Sequence, residues 1–347
     1  MNIKETFLKL TSRTYPYGNE HRLRYLLPKD IQRDKHGNFY YQIGETKTIF
    51  ACHLDTASKK YEEVIHVIDG NIIKTNGKTI LGADDKAGVC ILLYLIEQKI
   101  PGTYFFYIGE EVGCIGSKAA ASKDKEFYSN YDKIISFDRR DTCSIITHQA
   151  WERCCSNEFA ISLSNQFIQL GLELKPDDTG VGTDSAQFTQ IIPECTNISV
   201  GYYNEHTHDE KQDIDFLEKL CMACALIDWE KLPIKRDPKI TEYKQYNSNY
   251  NYSNNYNRVS WFDKNRAKKW NDKKTSLDLK KTYGYNREKE EDYDESLIDA
   301  AFAEDLKNNK VSFSGKDIFA IYRDEMNNNH FSIKDYEIIE DQFRLPY

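Results

Sequence analysis

The 347-residue chain contains no apolar run that approaches the roughly 18 residues of a membrane span, and its first residues, MNIKETFLKL, lack the apolar core of a signal peptide. A soluble, unexported, cytoplasmic protein is the expectation. There is no surplus of positive charge. Against 55 Asp and Glu stand 47 Lys and Arg, a formal net charge of −8, which argues against whole-chain attraction to nucleic acid or to an acidic membrane. A disulfide framework is missing as well. The nine cysteines are odd in number, all lie between Cys52 and Cys224, and several stand inside apolar runs such as FACHLD and GVCILL, the pattern of buried reduced thiols. Cys221-Met-Ala-Cys224 has zinc-knuckle spacing but sits in a helical pattern with no second pair, and reads as core packing. None of the usual serine or cysteine nucleophile motifs is evident.

What is present divides into two parts. Single cores rarely keep growing beyond roughly 250–300 residues, so one α/β domain and something smaller are expected. A hydrophobic share of 40% permits a sizeable core, while a mean hydropathy of −0.69 is too polar for a chain compact throughout. The first part, residues 1–235, opens with an amphipathic helix pattern (Phe7, Leu8, Leu10) and a turn signal, Asp34-Lys-His-Gly37-Asn38, between short extended segments. An alternation of strands and helices follows. Strands are expected at Thr48–Cys52, Thr103–Ile108, Lys133–Phe137 and Ile198–Tyr203, and helices at Lys86–Lys99, Gly116–Lys125 and Asp213–Leu232. That is a mixed, mostly parallel sheet flanked by helices.

The second part changes composition. Glu242–Asn257 (EYKQYNSNYNYSNNYN) has no aliphatic residue and reads as a linker, so residues 236–290 are expected to be low in structure. Arg258–Lys281 is basic with Trp261, Phe262 and Trp270 interleaved, a footprint of single-stranded nucleic-acid binding, although such stretches are more often solvated helix or linker. Residues 291–347 carry three short helical patterns, the last preceded by the cap signal Ser332-Ile-Lys-Asp335, and predict a small helical region.

The chemistry lies around Leu81–Gly88, LGADDKAG. His53, Glu110, Glu111, Asp138 and His206 each fall just past the carboxyl end of an expected strand, where open α/β sheets place their ligand sites. Two histidines and several carboxylates suit a pair of zinc-like ions, and such a pair needs a carboxylate between them, for which Asp84 is the candidate. His208 is a second possibility beside His206. Cys114 and His148 lie close to these motifs and read as structural.

His53-x-Asp55, GADDKAG, GEEVGCIGS, a strand-end Asp138 and a late His206 together resemble the co-catalytic di-zinc exopeptidases of clan MH, which include peptidase T, carboxypeptidase G and the single-domain zinc aminopeptidases. YGNE (17–20), DKHGN (34–38) and LGADDKAG look closest to peptidase T. The resemblance covers about residues 1–230 and implies the zinc exopeptidase fold. It implies that Asp84 bridges two divalent ions, zinc or else manganese or cobalt, with Asp85 a neighbour that does not ligate. His53 and Asp138 would complete one site, and Glu111 and His206 the other. Asp55 would fix the His53 ring, and Glu110 would be the general base. The spacing from His206 to Glu210 matches the family's H-x3-E ending and favours His206 over His208. Gly180-Val-Gly182-Thr183-Asp184-Ser185 resembles the family's GGTDA loop near the substrate, with Val181 in place of a glycine; a helix cap by Thr183 or Asp184 is the alternative. Too few residues lie between Asp138 and His206 for the lid that peptidase T carries, so a lid-less catalytic domain is expected. An aminopeptidase acting on peptides or small amides is the leading expectation. An amidohydrolase on a non-peptide amide, or a binding protein that keeps the fold, are the rivals.

Overall fold

The structure is a computed structural model that describes residues 1–244. The expected linker and helical C-terminal region lie, from residue 245 onward, outside the described residues. Helix α1 (Ile3–Leu10) is capped by the Asn2 side chain, which accepts the Glu5 N–H, and it buries Ile3, Phe7 and Leu10. Strands β1 (Gln32–Arg33) and β2 (Phe39–Ile43) form an antiparallel hairpin across the expected turn, in which the Asp34 carboxylate accepts the N–H groups of His36 and Asn38. Then come β3 (Thr48–His53), a hairpin of β4 (His66–Asp69) and β5 (Ile72–Thr75), α2 (Ala83–Glu97), β6 (Gly102–Tyr107), α3 (Ile115–Lys123), α4 (Lys125–Tyr128) and β7 (Lys133–Arg139). The chain continues through β8 (Ser144–Ile146), the short pair β9 (His148–Gln149) and β10 (Glu152–Arg153), α5 (Asn157–Gln169), β11 (Lys175–Asp177), β12 (Glu194–Ser199), β13 (Tyr202–Tyr203), β14 (Lys211–Asp213) and α6 (Ile214–Cys224).

Eight strands make one mixed sheet in the order β1-β2-β6-β3-β7-β12-β8-β11. At its centre β3 runs parallel to β6 and β7, and β7 runs parallel to β12. Such strands must be apolar on both faces, because helices cover both. On β3, Ile49 and Ala51 join Phe105, Tyr107 and Phe188 in one cluster, while Phe50 and Cys52 join Tyr104, Phe106 and Phe137 in the other. Phe50 is fully buried, with Tyr104 and Trp229 at ring-centroid distances of 5.3 and 5.1 Å. Truncating it to Ala costs about 3–5 kcal/mol by the usual scale for buried phenylalanines. Eight of the nine cysteines are buried; Cys143 is exposed.

A second sheet of four strands, β13-β14-β5-β4, stands beside the first. Its β4–β5 hairpin fills the interval between His53 and Asp84. The interval between Asp138 and His206 goes into β8, α5, β11 and β12, so the residues there extend and cover the main sheet and form no separate lid.

Two expected elements differ. The strand Ile198–Tyr203 is divided, with Ile198 and Ser199 ending β12 in the large sheet and Tyr202–Tyr203 forming β13 in the small one. Gly201 makes the turn, at a φ of +90° and so close to Phe216 that a Cβ would stand 2.7 Å from the ring. The helix Asp213–Leu232 stops at Cys224. The Cys224 carbonyl accepts from Trp229 Nε1, and the Asp228 N–H is taken by Gln166, so the helical bond that would join these two groups is replaced by bonds to side chains. No described helix is long and apolar enough to cross a membrane.

Residues 236–244 also pack on this body. Arg236 donates to the carbonyls of Thr189, Ile192 and Pro193, while its own N–H reaches Glu194. Tyr243 bridges Glu152, flanked by hydrogen bonds from Arg153 N to Glu242 O and from Lys244 N to Trp151 O.

Candidate metal centre

The site forms where the central strands end. His53 is the last residue of β3, Asp138 lies near the end of β7, Glu110 and Glu111 follow β6, and Asp84 sits in the first turn of α2. That turn is irregular. Gly82 caps it at a φ of +74°, Asp84 and Asp85 depart from helical dihedrals, and the peptide bond between them is cis. Gly88 explains the last letter of ADDKAG: a Cβ there would stand 2.2 Å from the Phe137 carbonyl, so only glycine lets α2 approach β7 this closely.

Asp84 faces both histidines. Its Oδ1 lies 3.0 Å from His53 Nε2, and its Oδ2 lies 3.2 Å from His206 Nε2. Asp138 Oδ1 stands 3.7 Å from the same His53 nitrogen, and Glu111 Oε2 stands 2.9 Å from the same His206 nitrogen. Two groups result, His53–Asp84–Asp138 and Asp84–Glu111–His206, with ligand atoms in each within 4.8 Å of one another. His53 is buried, whereas the His206 side chain is 49% exposed. His208, the alternative, is exposed and belongs to neither group.

The residues fit divalent ions. Two ligand atoms each about 2.0–2.2 Å from a zinc-like ion at near-tetrahedral angles lie roughly 3.3–3.6 Å apart, and the nitrogen–oxygen separations here, from 2.9 to 3.7 Å, bracket that span. Glu111 Oε1 is buried and has no hydrogen-bond partner, an acceptor for which the protein offers no donor. Charge gives the same answer. Burial and the neighbouring Asp84 push Glu111 up to about 7, and burial, together with Asp138, Asp184 and Glu111, pushes Glu110 well above the usual carboxylate range. Burial also pushes Asp138 up, with Asp84 adding to it. Burial pulls His206 down, yet Asp84 and Glu111 lift it to about 11. Against burial, the two histidines hold Asp84 well below its ordinary value. Carboxylates crowded in this way are relieved by cations.

The supporting contacts explain the geometry. Asp55, fully buried, accepts the N–H of Glu110 on one oxygen and that of Glu111 on the other, both at 3.0 Å. Its Oδ1 lies 3.4 Å from His53 Nδ1, a close approach without a hydrogen bond. Asp85 turns away from the histidine rings and accepts the N–H groups of His53 and Gly88. Thr183 Oγ1 and the Tyr202 hydroxyl each donate to Asp138, one per oxygen. Thr183 opens a short 3-10 turn without capping it through its side chain, which answers the cap alternative for that residue. Asp184 is buried, accepts from Ser117 Oγ, and is pushed up to about 8 mainly by burial.

The sequence offers the ligand types but not these partners. Tyr202 and Asn197, which brackets Asp138 through its main chain, carry no motif signal. Cys114, read as structural, points its thiol at Glu110 Oε1 at 3.5 Å. His148 bonds the adjacent Thr147 and touches none of the ligands.

No family model matches the chain. Among curated proteins, a stretch of 83 residues is 45% identical to the "Uncharacterized protein YqjE" of Bacillus subtilis (strain 168), a match spanning 22% of this chain and 22% of that protein. Among solved structures, the aminopeptidase PepT of Bacillus cereus ATCC 10987 matches with a TM-score of 0.56 at 16% identity, over 64% of this chain and 96% of that one. A tripeptidase of Staphylococcus aureus subsp. aureus mu50 matches with a TM-score of 0.55 at 17% identity, over the same shares. The fold is the one these two proteins share. At these identities the likeness is one of architecture, and the chemistry rests on the residues themselves.

Proposed function

We propose that this chain is a two-metal peptidase, most simply an aminopeptidase. The single observation that carries the reading is Asp84, whose two carboxylate oxygens face two different histidines, each completed by a further carboxylate. The place of the site at the carboxyl ends of the central strands, in a fold shared with an aminopeptidase and a tripeptidase, supports it. His53, Asp84 and Asp138 would hold one divalent ion, and Asp84, Glu111 and His206 the other, with zinc, manganese and cobalt all compatible with these donors. Ions so held supply Lewis acidity, making water acidic enough to attack and polarising the amide carbonyl.

The chain's own groups do the rest. Glu110 takes the proton of the attacking water and returns it to the leaving amine; burial and neighbouring carboxylates make it a more basic carboxylate than usual. Asp55 holds Glu110 and Glu111 by their main-chain N–H groups and orients His53, so base and ligands are tied to one buried carboxylate. Thr183 and Tyr202 each donate to one oxygen of Asp138 and fix its direction. With no lid in the interval between Asp138 and His206, selection falls to the walls around His206 and the loop 180–184. The buried, unpaired cysteines fit a reducing, cytoplasmic setting.

The test is metal content followed by a panel of peptides with free and blocked amino termini, assayed with added zinc, manganese or cobalt. Close to two ions per chain and cleavage of free peptides alone supports the aminopeptidase. Turnover confined to blocked amides selects a different amidohydrolase, and a chelator-indifferent protein without metal sinks the reading.

A further inference from the structure

Glu210 lies in the same short loop as His206 but has no ligand role. It is 1% exposed, and both of its carboxylate oxygens are used: Oε2 accepts the N–H of Gly82 at 2.7 Å, and Oε1 accepts the N–H of Asp84 at 2.9 Å. The second bond joins residues 126 apart in sequence. Asp84 is thereby gripped twice by one loop, at its main-chain nitrogen by Glu210 and at Oδ2 by His206.

The loop itself is stiffly tied. Asn204 and His206 have φ values of +58° and +63°, Thr207 Oγ1 donates to Asn204 O, Asn204 Nδ2 donates to Asp209 O, and Glu210 N returns to Thr207 O. Displacing His206 therefore displaces Glu210, and with it the turn that aims Asp84. Neither Gly82 nor Asp84 has another acceptor for its N–H within the first turn of α2, where the first helical N–H groups are unsatisfied by the helix itself. A buried carboxylate receiving two main-chain N–H groups is a directional clamp that a single neutral acceptor does not reproduce.

We infer that Glu210 is a positioning residue that sets Asp84 relative to His206, so that the binding of both ions depends on it. The inference rests on the two-metal reading above. Its substance is that the bridging carboxylate is aimed by the loop that carries the outermost ligand, so the two sites share one mechanical support. Glu210→Gln places an amide NH2 where one oxygen now accepts, leaving one main-chain N–H facing a donor. Glu210→Asp keeps the charge but is a methylene too short to reach both N–H groups. Partners that orient metal ligands in this way are worth about 10–100-fold in affinity.

The experiment titrates the full-length metal-free protein and both variants with zinc or cobalt by calorimetry, alongside thermal melting before any metal is added. The wild type is expected to take two ions. In each variant both ions should bind about 10–100-fold more weakly while metal-free melting stays within a few degrees of wild type. Wild-type affinity for both ions in both variants overturns the inference and leaves the two-metal reading standing. A large fall in metal-free melting in both variants also overturns it, since Glu210 would then be a residue of the fold alone. A wild type that takes up no ion overturns the two-metal reading itself, and this inference with it.

Discussion

Thr183 Oγ1 donates to Asp138 Oδ2 at 2.5 Å. The loop expected to lie near the substrate is thus fastened to a candidate metal ligand, and the Tyr202 hydroxyl occupies the other oxygen of the same carboxylate at 3.1 Å. Thr183→Val keeps the shape and removes one of the two donors. The ion beside His53 should then bind about 10–100-fold more weakly, with little change in melting, as competition against a coloured chelator would report. Unchanged affinity would leave Thr183 as a turn residue only.

Glu110→Gln preserves volume and the main-chain N–H that Asp55 accepts. It should retain both ions and lose activity by about 10²–10⁴-fold, the usual worth of a positioned proton-transfer group. Elemental analysis with steady-state kinetics checks the pair of outcomes. Substantial residual turnover places the base elsewhere.

Glu20, from the YGNE segment, is buried; one oxygen accepts the Gly18 N–H and the other has no partner. Burial, with Asp55 adding its charge, raises this carboxyl from 4.5 to about 7. The native state therefore holds its proton more tightly than the unfolded chain, so stability falls as pH rises from about 4.5 and levels off above about 7. Glu20→Gln removes that titration. Its melting temperature should match wild type near pH 4.5 and exceed it increasingly up to pH 7–8. A difference that shrinks with rising pH would contradict the sign.

A chain ending at Lys244 keeps every described contact and is the reference against which a shorter chain is melted. One ending at residue 235 loses the Arg236 guanidinium from three carbonyls, and the Arg236 N–H from Glu194. Charge-assisted hydrogen bonds of this kind place the loss at about 1.5–3 kcal/mol or more. Equal melting of the two chains would show that residues 236–244 only rest on the body.

His53, Glu110, Glu111 and Asp138 were legible as candidates because each follows a run of apolar residues that reads as a buried strand. KIISF ends one residue before Asp138, and TYFFYI ends two before Glu110. The main sheet was legible for the same reason. The break at Gly201 was not, since ISVGYY has strand composition throughout and only the proximity of Phe216 demands the turn. Nor was the end of α6, where the helix yields to side-chain bonds from Trp229 and Gln166 that no local pattern encodes. The supports of the site follow the same rule. Asp55 was expected beside the His53 ring, two residues away, but its hold on the Glu110 and Glu111 N–H groups depends on β3 and β6 being neighbours. Glu210 stood in a recognisable motif, yet its clamp on Gly82 and Asp84 appears only once the small sheet brings the two segments together.

His206 keeps about half its side chain in water, while His53 keeps almost none. On the two-metal proposal, exchange between bound and free ion would therefore be faster on the His206 side of Asp84 than on the His53 side. Protein purified from different media would then carry a conserved inner ion and an outer one that records its last buffer. Activity measured without controlling that history would vary from one preparation to the next.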